Sequence, residues 1–265
     1  MTWKAGQNMC LILMALDCHP KYKLIITGNR DEFYNRPTLP AHFWTEEPKI
    51  LAGLDIVKQG TWTGITTEGR FAAVTVYREP KSYPSNMPSR GLLATQFLKS
   101  SETSVEFMRH LVSRGNLYKG FSLLAGDVDT IYYLSNRENI VRKLDKGLHG
   151  LSNNLLDVPW PKVTRGLQAL SNCLAQEEVY VDDIWKIMAN QEIPPDKELP
   201  DTGIGIELER LLGPAFITSS KYGTRATTVL MVDRNKRVRF WERSFENPHS
   251  GQHTDAYYEF TIAPG

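Results

Sequence analysis

The chain is 265 residues long, 41% apolar and 23% charged, and carries 31 basic against 30 acidic side chains for a formal net charge of +1. That composition excludes a wholly disordered chain and supports one substantial core. Near neutrality gives no electrostatic case for nucleic acid or an acidic membrane surface as partner. The most prominent apolar run, Cys10 to Leu16, stops at Asp17, well short of the roughly 20 residues of a spanning helix. It also makes a poor signal peptide, so a cytoplasmic location is expected. Cys10, Cys18 and Cys173 are an odd, sparse set with no CxxC pair, which is not a disulfide framework.

Taken in chain order, residues 10–17 and 22–28 read as neighbouring strands around a turn at Cys18-His19-Pro20-Lys21. Their nearly continuous apolar runs suggest strands covered on both faces. Residues 61–66 and 70–78 read as a hairpin, with Gly69 supplying an unusual backbone angle. Helices follow at 90–99 and 103–113, the second closed by Gly115. Strands are expected at 121–127, 130–136 and 147–152. A helix starts near Pro161, where proline is tolerated, with Val163, Leu167, Leu170 and Leu174 on one side. Another helix covers 180–190. The prolines of 192–200 mark an irregular connection, and 201–219 resists assignment. Strands close the chain at 226–233, 236–243 and 256–262. This order of paired strands and paired helices suits a layered α+β domain better than a doubly wound parallel sheet.

The phosphate, dinucleotide and zinc-protease motifs GxxxxGK[ST], GxGxxG and HExxH are absent, as is the GxSxG elbow. His249 and His253 are four apart but sit among proline, serine and glycine, where the spacing fixes no geometry, so no metal site and no cofactor are expected. Gly28-Asn29-Arg30-Asp31-Glu32-Phe33 follows a strongly apolar strand. Such groups cannot all enter a core unpaired. Either the strand end emerges into solvent with its charges in surface ion pairs, or it forms a polar site at the mouth of a sheet. Asn153 and Asn154 also follow an apolar segment, and Arg225 precedes one.

Cys10-Leu11-Ile12-Leu13, then Gly28 through Pro37, Leu51-Ala52-Gly53-Leu54-Asp55, Gly60-Thr61-Trp62-Thr63-Gly64-Ile65, Gly120-Phe121-Ser122-Leu123, Gly150-Leu151-Ser152-Asn153, Pro159-Trp160-Pro161-Lys162, Tyr222-Gly223-Thr224-Arg225 and Glu242-Arg243-Ser244-Phe245 together resemble the NRDE, or transport-and-Golgi-organisation, family. The blocks run in order over nearly the whole chain. The resemblance implies an N-terminal nucleophile hydrolase-like fold, a four-layer αββα sandwich of two antiparallel sheets spanning residues 10–265. Residues 1–9 would then be an N-terminal extension or a propeptide. It further implies chemistry like that of the penicillin V acylases and bile-salt hydrolases, which cut amide bonds. Cys10 would be the nucleophile and its freed α-amine the base, since that amine has a reference pKa near 8. Arg30 would favour the thiolate and Asp31 would anchor the amine. Asn153 would stand on the oxyanion side, and Arg225 matches the late arginine of those relatives. Where the family has threonine-asparagine-tyrosine, this chain has Thr75-Val76-Tyr77, so an oxyanion donor is missing from a side chain and only the Val76 N–H is left. Trp62 and Trp160 read as packing anchors, Cys18 as a turn thiol and Cys173 as a helix thiol. The expected partner is a small-molecule amide substrate or, if the family's trafficking role prevails over catalysis, a haem-like or lipid-related ligand.

Overall fold

The computed structural model describes residues 9–246 and 251–263. Its strands are β1 (Met9–Leu16), β2 (Tyr22–Phe33), β3 (Thr38–Phe43), β4 (Ile50–Asp55), β5 (Thr63–Thr66), β6 (Phe71–Val76), β7 (Phe121–Gly126), β8 (Ile131–Ser135), β9 (Arg142–Lys143), β10 (Gly147–Leu151), β11 (Tyr222–Asp233), β12 (Arg237–Ser244) and β13 (Thr254–Thr261). The helices are α1 (Gly91–Lys99), α2 (Ser104–Arg114), α3 (Pro161–Leu174), α4 (Val181–Met188) and α5 (Ile206–Leu211). One sheet has the order β10-β1-β2-β11-β12-β13 and the other β3-β4-β5-β6-β7-β8-β9. Every pairing within them is antiparallel. The expected fold of two stacked antiparallel sheets between helices is the one observed.

Strand alternation builds the layers. On β1, Ile12, Met14 and Leu16 enter the core between the sheets, where they meet Leu51, Ile65, Phe71 and Leu124 of the second sheet. Leu11, Leu13 and Ala15 face the other way, into a cluster with Val163, Leu170, Ile184 and Met188 of α3 and α4. The second sheet buries Ala72, Val74, Phe121 and Leu123 under Leu93, Phe97, Met108 and Leu111 of α1 and α2. Each central strand is therefore apolar on both faces, which is why its sequence runs apolar rather than alternating.

The sequence reading differs from this fold in several places. β3, β4 and the two-residue β9 were not expected, nor was α5 in the unassigned stretch 201–219. β2 does not end at Gly28 but runs on to Phe33, and β11 starts at Tyr222 rather than at 226. Gly115 does cap the end of α2, as expected, but without a left-handed turn: its φ is −57° and the chain continues into a tight turn over Gly115–Leu117. The start of α2 is held by a capping box in which Thr103 accepts from the Glu106 N–H and Glu106 accepts from the Thr103 N–H. Gly69 does take a positive φ, 85°. Among the described residues no helix is long and apolar enough to cross a membrane.

Candidate functional site

The extension of β2 through Asn29-Arg30-Asp31-Glu32 puts polar side chains inside a sheet, and each finds a different environment. Asn29 points to the helix layer, where its Nδ2 donates to the carbonyls of Met188 (2.8 Å) and Ala215 (2.7 Å) and its Oδ1 accepts from Thr227 (2.7 Å). Asp31, on the same face by alternation, accepts from Thr224 Oγ1 at 2.6 Å. Arg30 is directly opposite Cys10 in the β1–β2 register and shares its inter-sheet face. The two contribute to a cavity of about 70 Å³ between the sheet ends, also lined by Asp55, Trp62, Val74–Val76 and the start of α1 at Ser89–Gly91. Gly53 lets the Trp62 ring into this wall: a Cβ there would fall 2.3 Å from the indole carbons. Arg30 stacks on that ring, 4.4 Å from its centroid, with Nη2 at 3.7 Å from Asp55 and 3.9 Å from Glu32.

Cys10 and Arg30 thus line the cavity, whereas Asp31, Asn153 and Arg225 do not. Asp31 is turned away by strand alternation. Asn153 is wholly buried behind Val76, donating from Nδ2 to the Val76 carbonyl at 3.0 Å, while Ser152 Oγ donates to the Cys10 carbonyl at 3.1 Å. Arg225 is the extra residue of a bulge between Thr224 and Ala226. Its guanidinium clamps the carbonyls of Phe33, Tyr34, Arg36 and Phe245 at 2.8–3.2 Å, so it fixes the turn after β2. The oxyanion-side expectation for Asn153 meets a side chain already committed to a carbonyl. Val76 offers its backbone instead. Phe121 gives its carbonyl to Asn136 on the β8 side, so Val76 and Phe121 form a non-bonded pair and the Val76 N–H points away from β7.

Burial pushes the Cys10 thiol up to about 12, helped by the negative charge of Asp31 and opposed by Arg30 and Lys162. The thiol is therefore neutral near pH 7, a weak donor rather than a nucleophile. Burial also raises Asp31, to about 6, against the pull of Lys162, Thr224 and Arg30. Among the described residues its Oδ2 has no hydrogen-bond partner. Lys162, missed by the sequence reading, is a buried cation on α3 lowered by burial and by Arg78 to about 8, donating to the Leu212 carbonyl at 3.1 Å.

At Ser89 and Arg90 the cavity meets a groove of about 570 Å³ lined by Glu32, Phe33, Arg36, Val57, Lys58, Met87 and Lys119, among others. Partial burial and the like charges of Arg90 and Lys58 pull the Lys119 ammonium below its ordinary range. The groove was not foreseen because its walls come from β2, the turn after β4, the loop before α1 and the residue before Gly120, which no local pattern connects. No group of three or more His, Cys, Asp or Glu converges on a metal position among the described residues. His249 lies outside them, as do residues 1–8 of the expected extension. Cys18 is exposed and Cys173 buried, as a turn thiol and a helix thiol should be.

The family model for transport and Golgi organisation 2 matches residues 9–247. The transport and Golgi organization 2 homolog of Mus musculus is 35% identical, over 96% of this chain and 99% of its own length. Transport and Golgi organization protein 2 of Drosophila melanogaster is 25% identical over 91% and 94%. Among solved structures, penicillin V acylase from Agrobacterium tumefaciens superposes on 88% of this chain and 82% of its own with a TM-score of 0.47 at 13% identity.

Proposed function

The chain belongs to the transport and Golgi organisation 2 family, and we propose that, with residues 1–9 in place, it is a binding protein that takes a small amphiphilic anion into the groove and cavity over Cys10. One observation carries this reading: the charge of the linked cavity and groove is unbalanced. Arg30, Arg36, Lys58, Arg90 and Lys119 line them against the carboxylates Glu32 and Asp55. Asp55 is already spent, accepting from Arg36 through Oδ2 and from the Val57 and Lys58 N–H groups through Oδ1. Phe33, Pro37, Val57, Met87 and Pro88 add apolar wall between the cations. Convergent cations in an apolar-walled concavity suit an anion with an apolar body. The neutral thiol and the amide nitrogen of an unprocessed Cys10, which cannot accept a proton, leave the intact chain without the proposed amine base.

Fluorescence titration with 8-anilinonaphthalene-1-sulfonate tests this. The full chain binds the dye saturably, and a Lys58→Glu, Lys119→Glu variant with unchanged melting temperature binds it about tenfold more weakly. Equal affinity in the two proteins would remove the groove from the account.

A second reading, amide hydrolysis by a chain that begins at Cys10, is favoured by the unpartnered Asp31 Oδ2. Asp31 is paired with Met9 in the register, so it stands where a new α-ammonium on Cys10 would need a carboxylate. In that form the amine takes the thiol proton, Arg30 supports the thiolate and the Val76 N–H receives the oxyanion. Turnover of an N-acyl amide panel only by chain of verified mass starting at Cys10 supports it. Equal turnover by the intact chain, or none by either, refutes it.

A further inference from the structure

The cavity floor holds buried polar atoms that no described residue satisfies. Among the described residues Arg30 Nη1, Trp62 Nε1 and Thr75 Oγ1 have no hydrogen-bond partner, and their residues are only 5%, 8% and 1% exposed. All of these residues line the same cavity as the Cys10 thiol. Leaving such groups buried and unpaired is destabilising, so a ligand that pairs them is favoured. The guanidinium and indole groups can only donate, a hydroxyl can donate, and a neutral thiol donates weakly. Next to them α1 begins at an N-cap residue, Arg90, whose side chain makes no cap hydrogen bond, and the positive end of the helix adds to the field. Asp55, the carboxylate in the wall, has its oxygens taken, as described above.

We infer that this cavity is a carboxylate site: the ligand's head group is a carboxylate whose oxygens accept from Arg30 Nη1, Trp62 Nε1 and Thr75 Oγ1, with its apolar tail in the groove. The inference rests on the anion-binding reading above and names the chemistry of the end that goes in first. The volume, about 70 Å³, suits a compact planar group and excludes a bulky one. An isosteric carboxamide turns an N–H₂ donor toward a wall of donors, so it cannot replace the carboxylate. The assignment gives Trp62 a polar role beyond packing and makes Thr75 and Trp62 specificity residues, neither of which needs Cys10 to be ionised.

Calorimetric titration of the full chain with octanoate and with octanamide tests this without any variant. Octanoate binds at one site, and octanamide binds at least about tenfold more weakly. Thr75→Val and Trp62→Phe, which keep shape and ring, each weaken octanoate severalfold and leave octanamide unchanged, with circular dichroism and melting temperature verifying the fold. Octanamide equal to octanoate, or octanoate indifferent to both substitutions, overturns the carboxylate site and leaves the groove reading standing. Octanoate failing to bind while the naphthalene sulfonate dye binds in a lysine-dependent way has the same meaning. Failure of both probes removes the groove reading itself.

Discussion

Cys10 and Cys18 are eight positions apart and differ sharply in access. Cys10 is buried at the end of β1 with its thiol pushed up to about 12, while Cys18 is exposed in the turn. Thiolate fraction and access both set alkylation rates. With iodoacetamide at pH 7.5, peptide mass spectrometry should find Cys18 modified at least about tenfold faster than Cys10 in the folded chain, and comparable rates only after denaturation. Fast Cys10 labelling in the intact native chain would mean an ionised thiol and would favour the hydrolase reading. At this scale Cys10 was singled out by the resemblance to the family alone, and Arg30 by its place after an apolar strand together with that resemblance. Asp31 was announced too, but strand alternation sends it to the face opposite Arg30. Trp62 and Thr75 carried no signal of their own, since an unsatisfied indole N–H or hydroxyl exists only once neighbours have failed to pair with it.

The element that decides the site is β2. Read from composition, it ends where polarity begins, at Gly28. In the fold it continues because β11 and the helix layer supply partners for Asn29 and Asp31, and tertiary pairing overrides the local pattern. Asn29→Asp replaces an N–H₂ donor by an acceptor against the Met188 and Ala215 carbonyls, and should destabilise by roughly 3–5 kcal/mol in denaturant titration. A loss under about 1 kcal/mol would mean that these bonds do not tie α4 to β2. Glu242 of β12 makes a comparable link between sheets, accepting from the Ala41 N–H on β3 and from Thr228 and Ser244. Burial raises its carboxyl from 4.5 to about 7, against the opposing charge of Arg30. The folded state therefore keeps the proton over an interval in which the unfolded state has lost it. Stability from this group is full below 4.5 and falls as pH rises through about 7. Glu242→Gln should remove that slope, so that between pH 5 and pH 8 the native sequence loses on the order of 2 kcal/mol more than the variant. Parallel profiles would contradict it. The elements missed from sequence, β3, β4, β9 and α5, are short and mixed in polarity, and the long strands and the four longer helices were legible because their periodicity persists.

Across the whole molecule, the cavity and groove exist only because the two sheets are stacked. Cys10 and Arg30 come from one sheet, Thr75 from the other, Trp62 from the residue before β5, and Ser89–Gly91 from the start of α1. The near-zero net charge gave no case for a large polyanionic partner, and it hid a local excess of cations, since composition averages over the surface that folding sorts. The four-layer fold was legible from element order and motif blocks, and the linked concavity was not, because its walls are far apart in the chain. Intermolecular nuclear Overhauser effects in the full chain, saturated with octanoate, address the central claim directly: that the space over Cys10 binds an amphiphilic anion head first. The account predicts contacts from the octanoate C2 protons to the Thr75 methyl and the Trp62 ring, and from its terminal methyl to Val57 and Met87 in the groove. Contacts confined to any other surface, or a reversed polarity with the terminal methyl at Thr75, would contradict it.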